Sequence, residues 1–264
     1  MNEPTISQLF DLSNKVALIT GATGALGGAM SRALAEAGAS VVISSRDASK
    51  AQAAAATLPV VGKAKHDGIA IDYMDPESIE KGFVDALERS GRIDILVNNG
   101  HDPLGNDWTT VTAEQFNRQM ANATGYFVLA RLVRNHAVEQ GKPASIINIG
   151  SMYGVVGSYP DTYEGICGAS PVAYHALKGG IVHMTRHLAA YWAADTVRVN
   201  CLSPGPFPTP TVPSELKERL CSKVPLRRMG TPDELKGAIV FLASDASSYV
   251  TGHNLLVDGG WTAW

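Results

Sequence analysis

Cysteine is scarce: Cys167, Cys201 and Cys221 are the whole complement. An odd number without a C-x-x-C pair gives neither a disulfide framework nor a cysteine zinc site, and fits reduced thiols in a cytoplasmic setting. No metal site is expected. Long hydrophobic runs are missing too, since none reaches the ~18 apolar residues of a membrane span. The opening MNEPTISQLFDLSNK has no basic start followed by an apolar stretch, so neither secretion nor membrane insertion is expected. Charge is sparse and nearly balanced: 22 Lys and Arg against 25 Asp and Glu leave −3, with no Lys/Arg-rich run. That gives no electrostatic footprint for nucleic acid or an anionic membrane. No linker, charge block or internal repeat divides the chain, so one domain over residues 1–264 is expected.

What is present is enough apolar matter for a substantial core, at 45% hydrophobic and 18% charged residues. Seven short runs read as strands: KVALIT (15–20), SVVISS (40–45), GIAID (68–72), IDILVNN (93–99), ASIINIG (144–150), TVRVNCLS (196–203) and NLLVD (254–258). Longer segments between them show helical spacing, as with Leu26, Met30, Ala33, Leu34 and Ala37 before Gly38. Such β-α-β alternation predicts an α/β fold: a doubly wound, mostly parallel seven-stranded sheet with helices on both faces. One stretch breaks the regularity, with six prolines from Pro204 to Pro225. It reads as an excursion, about 204–231, over the strand ends where α/β ligands sit.

The run ALITGATGALGGAM leads a buried strand directly into a helix through Gly21, Gly24 and Gly27. Glycines there let backbone N–H groups approach a pyrophosphate at a positive helix end, which predicts a dinucleotide. The second strand ends in Ser45 and Arg46, without the carboxylate that would bind the ribose 2′-hydroxyl of NAD. A guanidinium there suits a 2′-phosphate, favouring NADP. Asp47 is the complication: it would either pair with Arg46 or bind the ribose itself, which leaves NAD open.

In YHALK, Tyr174 and Lys178 stand four apart on a helical pattern and so share one face. Bringing a tyrosine from its usual ~10 to near 7 requires about 4 kcal/mol of preference for the phenolate. One ammonium at ~4 Å in an effective dielectric of ~20 supplies energy of that order. Lys178 would thus suffice as a tuner where a bound cofactor shields both groups. A tyrosine so tuned gives a proton to a carbonyl oxygen, or takes one from an alcohol, while hydride moves.

Together with these, NNG (98–100), NATG (122–125), Ser151 of NIGSMYG, SPGP (203–206) and the ending LLVDGGW resemble the short-chain dehydrogenase/reductase family in its compact branch, from about Lys15 onward. The resemblance implies a Rossmann-type fold, an oxidoreductase and the catalytic set Asn122, Ser151, Tyr174 and Lys178. Ser151 would hydrogen-bond the substrate oxygen, Lys178 would hold the nicotinamide ribose, and Asn122 would anchor a water in a proton relay. Implied cofactor contacts are Gly21, Thr23, Gly24, Leu26 and Gly27 in the glycine turn, then Ser45 and Arg46. Asp72 would lie beside the adenine, Asn98 would support the central strands near the ribose and Thr209 would meet the carboxamide, with Tyr73, Gly100, Tyr174, Lys178, Pro204, Gly205 and Phe207 as further implied cofactor contacts. The resemblance also implies a homotetramer built partly on helices over 113–139 and 173–194.

Three features depart from the family pattern. The glycine turn reads TGxxGxxG rather than TGxxxGxG, with Ala25 at the sixth position; the extended branch has this spacing, but 264 residues leave no room for its extra region. The usual NNAG is NNGH, with His101 either facing substrate or sitting as an ordinary loop histidine. Tyr174 lies 23 residues after Ser151, where about a dozen is common in the family. The added segment, about 157–171, carries Asp161, Tyr163 and Glu164, whose polar groups suit a polyhydroxylated substrate. An inert loop or subunit contact is the other reading.

The expected function is hydride transfer between nicotinamide and a ketone or secondary alcohol, on a sugar, sugar acid or polyol. One alternative is a 3-oxoacyl thioester reductase, for which Arg227 and Arg228 would have to meet an acyl carrier. Another is a nucleotide-binding regulator without turnover.

Overall fold

The computed structural model describes residues 3–105, 108–168, 170–208 and 212–264. Seven strands form one sheet: β1 (Val16–Thr20), β2 (Ser40–Ser45), β3 (His66–Ala70), β4 (Ile95–Asn98), β5 (Ala144–Ile149), β6 (Val197–Pro204) and β7 (Asn254–Val257). Their order is β3-β2-β1-β4-β5-β6-β7 and every pairing is parallel. This is the Rossmann-type arrangement, parallel throughout rather than mostly. The helices are α1 (Ile6–Leu9), α2 (Ala25–Glu36), α3 (Ala48–Ala55), α4 (Pro76–Ser90), α5 (Ala113–Gln140), α6 (Pro160–Tyr163), α7 (Val172–Trp192), α8 (Ser214–Lys223) and α9 (Lys236–Ala243).

Strand alternation divides the core into two layers. Ala17 and Ile19 of β1 pack with α2, α3 and α9, while Val16 and Leu18 face α4, α5 and α7. Both faces are thus covered, which is why VALIT is apolar without a polar side and is buried along its whole length. Local signals set the helix ends. Asp75 caps α4 by accepting the Glu77 N–H at 3.0 Å, and left-handed Gly91 closes it. Thr112 and Gln115 form a reciprocal capping box on α5.

Strand β3 starts at His66, two residues before the expected Gly68, because the His66 side chain works as part of the sheet edge. Its Nδ1 accepts the Val41 N–H at 3.2 Å while Nε2 meets the Pro59 carbonyl at 3.0 Å. Asp72 falls beyond the strand, where its N–H donates to Ser78 Oγ and its Oδ1 accepts the Met74 N–H.

The chain switches direction across the sheet between β1 and β4, and this opens a crevice at their carboxyl ends. A third apolar cluster closes one side of that crevice: Met152, Tyr153, Leu216, Leu220, Val224, Met229 and Trp261. It joins the segment after Ser151 to the proline-rich excursion, which carries α8 instead of being irregular throughout. Arg219 of α8 donates to the carbonyls of Asp161 and Glu164 at 3.0 and 2.7 Å, and Lys223 pairs with Asp161 at 2.6 Å.

Candidate active site

The glycine turn is built by close approach. Gly21 has φ +62°, and a Cβ there would lie 2.9 Å from the Gly100 Cα; a Cβ on Gly27 would lie 2.5 Å from the Gly21 carbonyl oxygen. Neither position admits a side chain. Gly24 differs: it is the extended N-cap of α2, and its Cβ would meet nothing nearer than 3.6 Å. The irregular TGxxGxxG spacing therefore keeps the two glycines that packing demands and adds one that it does not. Asn99 stitches the turn to β4, its Nδ2 donating to the Thr20 and Gly21 carbonyls at 3.0 Å each. Thr20 Oγ1 in turn accepts the N–H groups of Asn99 and Gly100. The NNG motif points to Asn98 and Gly100 as cofactor contacts, whereas Asn99 is the residue that holds the turn.

Helix α2 has neither a side-chain N-cap bond nor an acidic residue in its first turn, so its leading N–H groups face the cleft unneutralised. This nucleotide half has a volume of about 290 Å³ and is lined by Gly21, Thr23, Ser45, Arg46, Asp72 and Tyr73, among others. The side-chain-free cradle at an uncapped helix end fits a dinucleotide pyrophosphate. Asp47 is spent on α3, accepting the Ser49 and Lys50 N–H groups at 2.9 and 3.2 Å. It neither pairs with Arg46 nor reaches into the cleft. Among the described residues no carboxylate pairs with the exposed Arg46.

Tyr73 fills the floor beneath the loop after β4. A Cβ on Gly100 would strike its ring at 2.6 Å, and one on Gly125 would strike its carbonyl oxygen at 2.1 Å. That explains why alanine of the usual NNAG is glycine here. Asn98 is wholly inside: it donates to the Tyr126 carbonyl and to Asn148 Oδ1, both at 3.0 Å, and Asn148 continues the chain to Thr185. Its place is support of the central strands, and it does not line the nucleotide half.

The catalytic half, about 260 Å³, is lined by Leu26, His101, Ser151, Tyr174, Lys178 and Phe207, together with Pro204 and Gly205 at the end of β6. Thr209 lies outside the described residues. Tyr174 and Lys178 come from α7 and share its face as the spacing predicts. Lys178 Nζ donates to the Ile149 carbonyl at 2.8 Å and stands 5.7 Å from the centre of the Tyr174 ring. Burial pulls its ammonium down to about 8. The Tyr174 phenol is raised by burial, opposed by a hydrogen bond with Ser151. The expected lowering by Lys178 is thus not what the protein groups alone produce, because desolvation outweighs an ammonium whose nearest bond is to backbone.

Asn122 is buried and fully engaged. Its Oδ1 accepts the Asp102 N–H at 2.8 Å and its Nδ2 donates to the Gln119 carbonyl at 2.9 Å, tying the loop after β4 to α5. His101, on that loop, sets its ring edge-on to Tyr174 at 5.4 Å. Burial and the Lys178 charge depress its pKa to about 4, so it is a neutral imidazole at physiological pH. Gln119 and His101 touch at 3.5 Å through their Nε2 atoms. Arg118 holds Asp102 beside them at 2.8 Å.

Asp161, Tyr163 and Glu164 of the added segment do not form an open acidic mouth. Asp161 is taken by Lys223, the Tyr163 hydroxyl bonds the Tyr153 hydroxyl, and the Glu164 side chain is exposed. Sequence spacing had no means of showing the Lys223 partner, 62 residues away. Among the described residues no group of three or more His, Cys, Asp or Glu is placed to hold a metal ion. No helix among them is long and apolar enough to cross a membrane.

A dehydrogenase family model described as enoyl-(acyl carrier protein) reductase matches residues 21–262. The chain belongs to the short-chain dehydrogenase/reductase family. It is similar to the D-arabinitol 2-dehydrogenase (ribulose-forming) of Candida tropicalis, at 33% identity over 97% of this chain and 95% of that one. The galactitol 2-dehydrogenase (L-tagatose-forming) of Cereibacter sphaeroides is 35% identical, with 97% and 98% covered. Among solved structures, a gluconate 5-dehydrogenase from Burkholderia cenocepacia in complex with NADP and tartrate superposes with a TM-score of 0.87, at 31% identity over 98% of this chain and all of that one. As a short-chain dehydrogenase/reductase, the protein is an NAD(P)-dependent oxidoreductase acting between CH–OH and C=O. Ser151, Tyr174 and Lys178 line one cleft, which shares Asn99 and His101 with the nucleotide half.

Proposed function

We propose that this short-chain dehydrogenase/reductase interconverts a ketone and a secondary alcohol on a sugar, sugar acid or polyol, with NADP(H) as its preferred cofactor. The observation that carries the substrate class is near-full-length similarity to enzymes named for arabinitol, galactitol and gluconate. NADP is favoured by Arg46, exposed at the rim of the nucleotide half with its neighbour Asp47 spent on a helix cap. NAD remains the competing cofactor.

Gly21, Thr23, Gly24 and Gly27 would hold the pyrophosphate, Ser45 and Arg46 the adenosine ribose, and Asp72 and Tyr73 the adenine. Leu26, Gly100, Pro204, Gly205 and Phe207 would line the nicotinamide side. The bound nicotinamide would supply or accept the hydride. In reduction, Tyr174 gives its phenolic proton to the carbonyl oxygen as hydride reaches the carbon. Ser151 bonds that same oxygen, and its nearby hydroxyl opposes the rise that burial gives the Tyr174 phenol. Lys178 supports the phenolate left behind, and the proton is then restored from solvent. The side chain of Asn122 is committed to Asp102 and Gln119 and fixes the loop that carries His101, and from that place Asn122 would anchor the water of the proton relay.

The thioester reductase reading keeps only part of its basic pair. Arg227 donates to the Ser222 carbonyl at 2.5 Å and lies over the Trp264 ring, and Arg228 pairs with Glu234. We further read residues 1–264 as one catalytic domain of a cytoplasmic homotetramer that uses the outer faces of α5 and α7. Sedimentation would read the oligomer.

The direct test follows NADPH and then NADH absorbance with ketoses, keto sugar acids and small diketones beside acetoacetyl thioester. Consumption of NADPH with hydroxylated ketones is expected. Preference for the thioester would overturn the substrate class, and preference for NADH the cofactor.

A further inference from the structure

The added segment before Tyr174 sets a phenol, Tyr163, against the apolar cluster that closes one side of the crevice and on which Tyr174 also packs. Tyr153 follows Ser151 by two residues, and Ser151 Oγ accepts its N–H at 3.1 Å. The Tyr153 ring is locked: it stacks on His175 at 4.6 Å and meets Trp261 edge-on at 6.2 Å. Its hydroxyl bonds that of Tyr163, which comes from the added segment. The helix carrying Tyr163 is itself clasped to α8 by Arg219 and Lys223. Both rings pack in the same cluster as Tyr174.

Two phenols joined by one hydrogen bond hold two protons and use one between them. The acceptor keeps an O–H to donate elsewhere. Tyr153 is buried and Tyr163 only partly so, which leaves the spare hydrogen-bonding capacity at Tyr163. Burial raises both phenols, so each remains protonated across the physiological range. Tyr163 also adds to the raised titration of Tyr153 and Tyr174, whereas its bond with Tyr153 opposes the rise in its own. The other side chains of this wall are largely apolar or aromatic, Met152, Leu216, Val224 and Trp261 among them. The acidic groups of the segment are exposed, and Asp161 is bound to Lys223.

We propose that Tyr163, held in place by Tyr153, is a specificity residue whose hydroxyl hydrogen-bonds a substrate hydroxyl next to the carbon that Tyr174 serves. This deepens the sugar and polyol reading and rests on it. A site that offers a fixed hydrogen bond to a hydroxyl discriminates strongly against the analogue lacking it, because the protein group is then left unpaired.

The test compares an α-hydroxyketone with its deoxy partner, acetoin with butan-2-one, and adds L-sorbose and acetoacetyl thioester. Wild type, Tyr163→Phe and Tyr153→Phe are assayed with NADPH, whose dissociation constant is measured separately by fluorescence. The wild type is expected to favour acetoin in kcat/KM, and Tyr163→Phe to reduce that ratio at least tenfold, mainly through KM. Tyr153→Phe, which frees Tyr163 to turn, is expected to reduce it less. Should one variant fail to fold, the other reads the same ratio. A preference for acetoin that survives both substitutions overturns the proposal and leaves the sugar reading standing. So does an equal loss on both ketones, since that marks a packing role. A wild type that uses only the thioester, or does not distinguish the two ketones, overturns both.

Discussion

Lys178 Nζ stands 5.7 Å from the centre of the Tyr174 ring while its shortest bond, at 2.8 Å, goes to the Ile149 carbonyl at the end of β5. The sheet thus fixes the height of the ammonium and the helix fixes the phenol. Removing only the phenolic oxygen tests the assignment of the acid. Tyr174→Phe is expected to lower kcat by at least about a thousandfold, with NADPH affinity kept within a few-fold. A variant that keeps turnover would show that Tyr174 is not the proton donor.

Lys178 is a buried cation whose folded pKa, about 8, lies below its ordinary 10.5. Between those values the unfolded chain binds more protons, so this residue makes stability rise with pH from 8 to 10.5 and costs the fold below 8. Lys178→Met is expected to hold or raise Tm at pH 7 while nearly abolishing turnover, and to flatten the alkaline rise in Tm. A clear drop in Tm at pH 7 would show that the bond to Ile149 outweighs the burial cost.

Two glycines separated by three positions should respond unequally to the same methyl group. Gly27→Ala places a Cβ 2.5 Å from the Gly21 carbonyl oxygen, and Gly24→Ala meets nothing nearer than 3.6 Å. The first is expected to cost about 1–3 kcal/mol of stability and at least tenfold in NADPH affinity. The second leaves Tm within a few degrees. Differential scanning fluorimetry and fluorescence titration read both.

Arg46 decides the cofactor if its guanidinium meets a 2′-phosphate. Arg46→Ala is expected to weaken NADPH by about ten- to a hundredfold and NADH by less than about threefold. Equal effects on both would move the preference elsewhere in the cleft.

His101 is held neutral by burial and by the Lys178 charge, with a folded pKa of about 4 against its ordinary 6.5. The unfolded chain binds more protons between those values, so stability falls as pH drops from 6.5 toward 4. His101→Asn is expected to have a shallower acid decline of Tm than the wild type. An unchanged slope would place the acid sensitivity on other groups.

Much of this site was legible in order along the chain because its parts are local. The strand runs agree with the observed strands to within a few residues at their ends, since β-branched residues buried on both faces leave a continuous apolar signature. The glycine turn and the i, i+4 pair of Tyr174 and Lys178 are likewise read from neighbours. Strand β3 was displaced because a histidine side chain took a place in the backbone ladder, which no propensity records.

Other features depend on pairs far apart in sequence. That Asp161 belongs to Lys223, 62 residues on, was decided only when the segments met, while the cap that Asp47 makes on α3 and the bond of Tyr163 to Tyr153 are nearer pairs that composition and spacing left open. The balance at Tyr174 was decided the same way. Sequence supplied an acid and a cation at the right spacing, but the cost of burial that sets their titration comes from the enclosing sheet, loop and added segment. The sequence by itself determined the fold, the family and the candidates for the reacting groups, because these follow from local periodicity and short motifs. Tertiary structure alone decided which polar side chains remain available to a ligand, because a group whose hydrogen-bonding capacity is used up within the protein has none left to offer the cleft.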